Sequence, residues 1–284
     1  MSPFALLVPV LVVVVAALVA LPPGKYRVTE RDLAWIAGTD VVPAPEAAVY
    51  AAYLLRHRRH RFVGGLFGGL LAAVVGIRYY RDVSLVGVGS TSPLADIFFG
   101  VVTGVVLGAL SAETYRLGQP RTGAAVASLA PRAPVGLPRV VTGARVLAGA
   151  SLLWGLLALV LLGPGAGPVL AVAVLGAVIG GVVELTRAAV ANRRRPAESA
   201  RALEVDARIR TFAGRTLSWL QAAVATLVAT WVLALTPLRP VSEGLEALLA
   251  LLVLAGLVTT VVLLFRAAPR PPRSWRPAGL VEAA

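Results

Sequence analysis

Residues 245–265 read LEALLALLVLAGLVTTVVLLF, a stretch that carries a single charge, on Glu246. A helix needs about 20 apolar residues to cross the roughly 30 Å hydrocarbon core of a bilayer, so this stretch is long enough. Backbone groups in hydrocarbon have no water to bond, which leaves helices and closed barrels as the spanning structures. The stretch is continuously apolar and does not alternate, which favours a helix over a barrel strand. It therefore predicts a transmembrane helix.

Six other stretches follow the same pattern and, with this one, predict an all-α, polytopic membrane protein of seven transmembrane helices. The predicted spans are residues 3–21, 62–77, 94–112, 146–162, 168–183, 217–235 and 245–265. The chain has 284 residues, of which 58% are hydrophobic and 14% charged, and its mean hydropathy is +0.82. Soluble domains are about 45–50% apolar and about 25% charged. The composition therefore excludes a water-soluble core.

Basic residues fix the predicted orientation. Connectors 22–61, 113–145 and 184–216, together with the tail from Arg266, carry 24 of the 27 Lys and Arg residues. Lysine and arginine accumulate in cytoplasmic loops, so we expect the N-terminus outside and the C-terminus in the cytoplasm. The cell membrane is the expected location. The net charge of +13 is explained by basic loops that face anionic lipid at the cytoplasmic face, and no nucleic-acid partner is predicted.

The expected organisation is a single helical membrane domain, residues 1–266, followed by a tail. Span 3–21 has no basic residue before it, so we interpret it as a retained helix rather than a cleaved signal peptide. Residues 267–284 are rich in Pro and Arg and are predicted to be a disordered cytoplasmic tail.

The first connector carries two helix signals. Thr29 followed by Asp32 is typical of a capping box and predicts a helix over residues 30–37, with Gly38 as its end. Pro45 and Glu46 are suited to the first turn of a second helix. That helix is predicted to end just before span 62–77 in a lipid-facing basic cluster made of Arg56, His57, Arg58, Arg59, His60 and Arg61.

Connector 184–216 is predicted to contain a helix that lies on the membrane surface, with Ser199 as its cap. Glu204 with Arg208, and Asp206 with Arg210, form i,i+4 pairs of opposite charge in the favourable order. Docking of this helix on a soluble partner is the alternative.

Small residues recur every four positions on three of the predicted spans. Small side chains at this spacing let helix backbones approach closely in lipid, which favours tight packing within the chain. A homo-oligomer interface and a pore lining are the alternatives. The glycines concerned are Gly64, Gly68, Gly100, Gly104, Gly108, Gly176 and Gly180.

Five charged residues lie near span ends and are the candidate functional polar positions: Asp96, Glu113, Arg116, Glu184 and Arg187. Asp96 is suited to a first helical turn, and carboxylates inside a membrane are often functional. The other four form two Glu–Arg pairs separated by the same offset along the chain. Paired interfacial charges explain them, and a duplicated helix hairpin whose two carboxylates line a shared cytoplasmic vestibule is the alternative.

Several classes of activity find no support in the sequence. The chain has no Cys, and its two His cannot complete a closed metal site alone. No phosphate-binding glycine loop or nucleophile elbow occurs in the connectors. Its one Lys, Lys25, lies in a connector, which excludes a retinal protein with a membrane Schiff base. No catalytic residue, cofactor or metal is therefore predicted.

Residues 45–120 resemble uncharacterised multi-pass membrane proteins of high-GC Gram-positive bacteria. The resemblance rests on the run Tyr53 to Arg61, on Pro93-Leu94-Ala95-Asp96 and on Phe99-Gly100, and it implies no activity. Together these features predict a non-catalytic scaffold, accessory or regulatory membrane subunit with a membrane or cytoplasmic protein partner. A transporter or permease subunit is the alternative.

Overall fold

The computed structural model describes residues 27–80, 93–114, 136–193, 200–236, 243–272 and 274–275. These residues form seven α-helices, one 3₁₀ helix and the turns beside them, and they contain no β-strand. The helices are α1 (Glu30–Ala37), α2 (Ala44–Tyr80), α3 (Pro93–Thr114), α4 (Pro138–Leu162), α5 (Gly167–Asn192), α6 (Ala200–Leu235) and α7 (Glu243–Arg266), with the 3₁₀ helix at Pro164–Ala166.

Five helices of the described part are long and apolar enough to cross a bilayer, and each overlaps one of the third to seventh predicted spans. They cover Asp96–Thr114, Pro138–Leu162, Pro164–Asn192, Arg201–Leu235 and Gly244–Arg266. Their large apolar side chains are widely exposed, as on α7, where Leu251 is 63% exposed. Exposure of such a large apolar surface to water is unfavourable, whereas its contact with the hydrocarbon of a bilayer is not. The chain is therefore an all-helical protein of the multi-pass membrane class.

The first two predicted spans are not among these five helices. Span 3–21 lies outside the described residues. Span 62–77 falls in the second half of α2, which is helical throughout. Seven spans and their orientation therefore stay a prediction.

The chain divides into two compact units. Unit 1 contains Met1–Thr122 and Pro269–Ala284, and unit 2 contains Gly123–Ala268. In unit 1, α2 packs along α3 and contacts α1.

The capping box of α1 is confirmed. The Thr29 amide donates to Asp32 Oδ2 over 2.8 Å, and the Asp32 amide donates to Thr29 Oγ1 over 3.3 Å. Gly38 ends the helix with φ of 64°. This left-handed conformation is cheap for glycine because it has no Cβ.

α2 is one unbroken helix of 37 residues, and the prediction that a separate helix ends at Arg61 is wrong. Between Glu46 and Phe62 no Gly or Pro interrupts the chain. Arg is a good helix former, so the change from basic to apolar residues alters the surroundings of the helix without ending it. At about 1.5 Å per residue, α2 is about 55 Å long.

In unit 2, α6 lies at the centre and contacts α4, α5 and α7. Sixty-seven per cent of the apolar membrane-spanning stretch of α6 is buried, against 6% for that of α7. α4 and α5 form a hairpin joined by Gly163 and the 3₁₀ helix. The amide of Leu137, just before α4, donates to Ser218 Oγ over 3.0 Å and fixes the start of α4 on α6.

The predicted surface helix is also wrong as a separate element, because its residues belong to the 36-residue helix α6. The charge pairs themselves are confirmed. Arg208 lies 2.8 Å from Glu204, and Arg210 lies 2.6 Å from Asp206. Ser199, the predicted cap, lies outside the described residues.

Residues 267–272 and 274–275 of the tail are described, and they make contacts with unit 1. Arg58 donates to the Pro269 carbonyl over 3.0 Å, and Arg31 donates to the carbonyls of Pro272 and Trp275. The tail therefore packs against α1 and α2 of unit 1.

Candidate functional site

The helix pair α2–α3 is held by glycines that approach backbone to backbone. A Cβ added to Gly64 would overlap the Gly104 carbonyl, and one added to Gly68 would overlap the Gly100 carbonyl. Gly108 meets the His60 carbonyl in the same way. These five glycines therefore form one continuous seam between the two helices, in which no side chain larger than hydrogen fits.

The seam ends in a buried polar cluster, the Glu113 cluster, formed by Tyr53, His57 and Arg61 of α2 with Glu113 of α3. The three α2 residues are spaced by four, so they share one face of the helix. Tyr53 donates its hydroxyl hydrogen to Glu113 Oε1 over 2.5 Å. His57 Nε2 lies 3.0 Å from the same oxygen, although this approach does not have hydrogen-bond geometry.

Burial controls the charges in this cluster. Burial lowers the pKa of His57, and the neighbouring Glu113 only partly offsets this effect, while Arg61 and Arg56 reinforce it. Burial also lowers the pKa of Arg61, to about 10, so this guanidinium keeps its proton at neutral pH. The imidazole ring of His57 is therefore neutral at neutral pH, close to Glu113 and under the electrostatic influence of the charged Arg61.

The predicted lipid-facing basic cluster divides between two environments. His57, Arg58 and Arg61 are buried, so a lipid-facing position is wrong for these three. Arg59 is exposed. His60 is partly exposed, and its Nδ1 lies 2.8 Å from Ser111 Oγ of α3.

Arg58 joins three segments of unit 1. It bonds to Asp32 of α1, to the Arg27 carbonyl before α1 and to the Pro269 carbonyl of the tail. Burial raises the pKa of the Asp32 carboxyl, but the hydrogen bonds from Arg58 and Thr29 outweigh it, so this pKa is lowered overall. Asp32 and Arg58 therefore form a buried ion pair.

Unit 2 contains the second cluster, the Glu184 cluster, at the open end of the α4–α5 hairpin. Arg145 of α4 donates to both oxygens of Glu184, over 2.7 and 3.0 Å. Arg187, one turn after Glu184 on α5, also donates to it. Gln221 of α6 donates to Glu184 over 2.7 Å and accepts from Arg187 over 3.2 Å. The carboxylate is thus fully engaged and is poorly suited to act as a base.

A groove of about 340 Å³ lies beside the Glu184 cluster. Its polar wall is formed by Thr142, Arg145, Glu184 and Arg187. Its apolar wall includes Val141 and Ala188. The groove begins at Leu137, at the end of the hairpin, and reaches inward along α4 as far as Arg145.

The remaining predicted positions have separate outcomes. Asp96 lies in the first turn of α3, where the helix dipole favours an acid. Arg116 lies outside the described residues.

Gly176 packs against Val228 of α6, but a Cβ on Gly180 would meet nothing within 4 Å, so a packing role inside unit 2 is wrong for Gly180. Glu113 and Glu184 belong to different units and have different neighbours.

Within the described ranges, no three His, Asp or Glu side chains converge as a metal site would require. The roles of Tyr53, Arg145 and Gln221 are not among the predictions made from the sequence. Tyr53 and His57 share a helical face, which was a usable signal for the first of these. Arg145 and Gln221 gave none, because each is more than 30 residues from Glu184.

Comparison of the chain with protein-family models, with curated proteins and with solved structures finds no match.

Proposed function

We propose that this chain is a non-catalytic scaffold, accessory or regulatory subunit of a bacterial cell membrane, with a protein partner on its cytoplasmic side. The observation that carries this proposal is the length of two helices. At about 55 Å each, α2 and α6 are longer than the roughly 30 Å hydrocarbon core, so each has about 25 Å of helix to present outside it.

The parts of α2 and α6 that we assign outside the membrane are their charged N-terminal halves. In the proposed seven-span topology, both lie on the cytoplasmic side together with 24 of the 27 basic residues. One partly buried and one buried ion pair support their rigidity. Arg193, after α5, lies 3.1 Å from Asp206 of α6, and Arg58 of α2 is paired with Asp32. Rigid helical arms of this kind are suited to hold a partner.

The exposed Arg201 and Glu204 and the partly exposed Arg208 of α6 offer a charged surface for such a partner. The test is affinity purification of the tagged full-length protein from native membranes in mild detergent. We expect a stoichiometric partner that is lost when Arg201 and Arg208 are both changed to Glu. The matched control is Arg239→Glu, which the proposed topology places on the opposite side of the membrane. A homogeneous preparation without any partner would contradict the proposal.

The second candidate is a transporter or permease subunit, and the groove beside Glu184 is the observation that favours it. We rank it second because this groove reaches only to Arg145, about two turns into the 25-residue helix α4. A transport pathway needs a polar site near the bilayer midplane. Solute flux through liposomes that contain only the purified chain would favour this candidate over the first.

A further inference from the structure

The groove beside the Glu184 cluster combines a charged wall with an apolar wall. Arg145 and Arg187 contribute two positive charges, and Glu184 contributes one negative charge. Neither Arg uses all of its five N–H groups in bonds to Glu184 and Gln221. The Thr142 side chain stands exposed beside them. The charged wall thus has a net positive charge, and its two arginines have further N–H groups that can donate hydrogen bonds to a ligand.

The surface that continues from this wall is strongly apolar. Val146, directly after Arg145, is 67% exposed, and Leu185, directly after Glu184, is 72% exposed. A soluble anion would gain nothing from these side chains, whereas an acyl chain would cover them. The arrangement of a cationic end beside an exposed apolar surface matches a molecule with an anionic head and an apolar tail.

We propose that this groove binds the headgroup of one anionic phospholipid. Arg145, Arg187 and Thr142 hold the phosphate, and the acyl chains lie against Val146 and Leu185. Arginine suits this task because its planar fork of N–H groups matches phosphate oxygens. The site does not depend on the accessory function proposed above, because it needs only that this end of the hairpin meet the lipid headgroups.

The test counts lipids bound to the full-length protein in a nonionic detergent by native mass spectrometry. We expect one phosphatidylglycerol molecule to be retained in preference to phosphatidylcholine. Arg145 is largely exposed, so its replacement leaves the packing of unit 2 intact. Arg145→Gln should lower the affinity for phosphatidylglycerol about tenfold, and Arg145→Lys, which keeps the charge but not the fork, should restore part of it. Arg215→Gln, which removes an exposed arginine of α6 that does not line the groove, is the matched control and should have no effect.

Glu184→Gln separates binding from general damage to the fold. This change removes the negative charge that competes for both arginines, so affinity for phosphatidylglycerol should rise, whereas loss of structure would lower it in both Arg145→Gln and Glu184→Gln. Equal binding of the two lipids, or an unchanged affinity in Arg145→Gln, would overturn the proposal. Displacement of the lipid by an equal concentration of inorganic phosphate would also overturn it, in favour of a soluble phosphate as the ligand.

Discussion

The Tyr53 hydroxyl and the Glu113 carboxylate are joined by a 2.5 Å hydrogen bond between α2 and α3, and both side chains are buried. This bond lies at one end of the glycine seam. Close backbone contact along the seam sets the distance between the helices, and the hydrogen bond adds a directional contact that fixes their register. A buried carboxylate would otherwise be costly to keep in this position.

Removal of the Tyr53 hydroxyl should therefore destabilise unit 1. We expect Tyr53→Phe to lower the free energy of unfolding by about 1–3 kcal/mol, because it removes the hydroxyl that donates a hydrogen bond to the buried Glu113 side chain. Thermal or denaturant unfolding in detergent measures the effect. A double-mutant cycle with Glu113→Leu, which removes the acceptor, should give a coupling energy of about 1 kcal/mol or more. Strictly additive effects would mean that the two groups do not interact.

His57 should make stability depend on pH. Its pKa in the folded protein lies below its ordinary value of 6.5 because of burial, so the unfolded chain takes up a proton at higher pH than the folded one. Stability is then complete above about pH 6.5 and falls as the pH decreases below that value. The charged and titratable groups around the ring are Tyr53, Arg56 and Arg61 of α2 and Glu113 of α3.

The measurement is the unfolding midpoint in detergent from about pH 7.5 to about pH 5.5. His57→Gln should flatten the profile, because it removes the titrating ring. His60, whose pKa is lowered first by partial burial and then by Arg56 and Arg59, contributes in the same direction. It is much less buried, so His60→Gln should change the profile less. A profile that stays the same in His57→Gln would rule out this source of pH dependence.

The prediction of α1 rests on local signals in the sequence. The capping box of Thr29 and Asp32 and the end at Gly38 act between residues a few positions apart, and each has one dominant geometry. The apolar spans were equally visible because lipid demands long uninterrupted runs. The predicted end of the second connector helix at Arg61 is wrong because it rests on a change of polarity, which does not by itself end a helix. Helices end where caps or breakers occur, and neither occurs there.

Long-range partners could not be predicted in the same way. The glycine rows were recognisable, but which rows meet depends on how α2 and α3 pack. Arg58 reaches a backbone carbonyl at Pro269, and any residue would offer the same acceptor, so the sequence contains no mark of this contact. The pairing of Arg145 of α4 with Glu184 of α5 depends on how the two helices align in the hairpin. The sequence does not give this alignment, whereas the three-dimensional structure does.

The glycine seam makes a sharp prediction about Gly104. A Cβ at this position would lie 2.8 Å from the carbonyl carbon of Gly64, which is backbone and cannot move aside. Gly104→Ala should therefore lower the free energy of unfolding by about 1–3 kcal/mol. Gly149→Ala on α4 is the matched control, because a Cβ there meets nothing within 4 Å. It should stabilise the helix by up to about 1 kcal/mol, since Ala favours helix over Gly. Equal effects at both positions would mean that the seam is not tight.

The last prediction concerns the tail that Arg58 holds in place. Arg58 is buried and bonds to Asp32 and to the carbonyls of Arg27 and Pro269. Arg58→Gln removes the charge and shortens the reach, so the tail should leave α2 more often. Opening of this kind is read out by proteolysis, because a protease cuts only the released chain.

Trypsin suits the measurement, because it cleaves poorly before proline and both Arg270 and Arg276 are followed by Pro, whereas Arg273 is followed by Ser. We expect cleavage after Arg273 to become about tenfold faster in Arg58→Gln, in line with the loss of hydrogen bonds from a charged group. Arg59→Gln removes the exposed neighbour of Arg58 and should leave the rate unchanged. If both variants were cut at the rate of the unmodified protein, Arg58 would not be what holds the tail on unit 1.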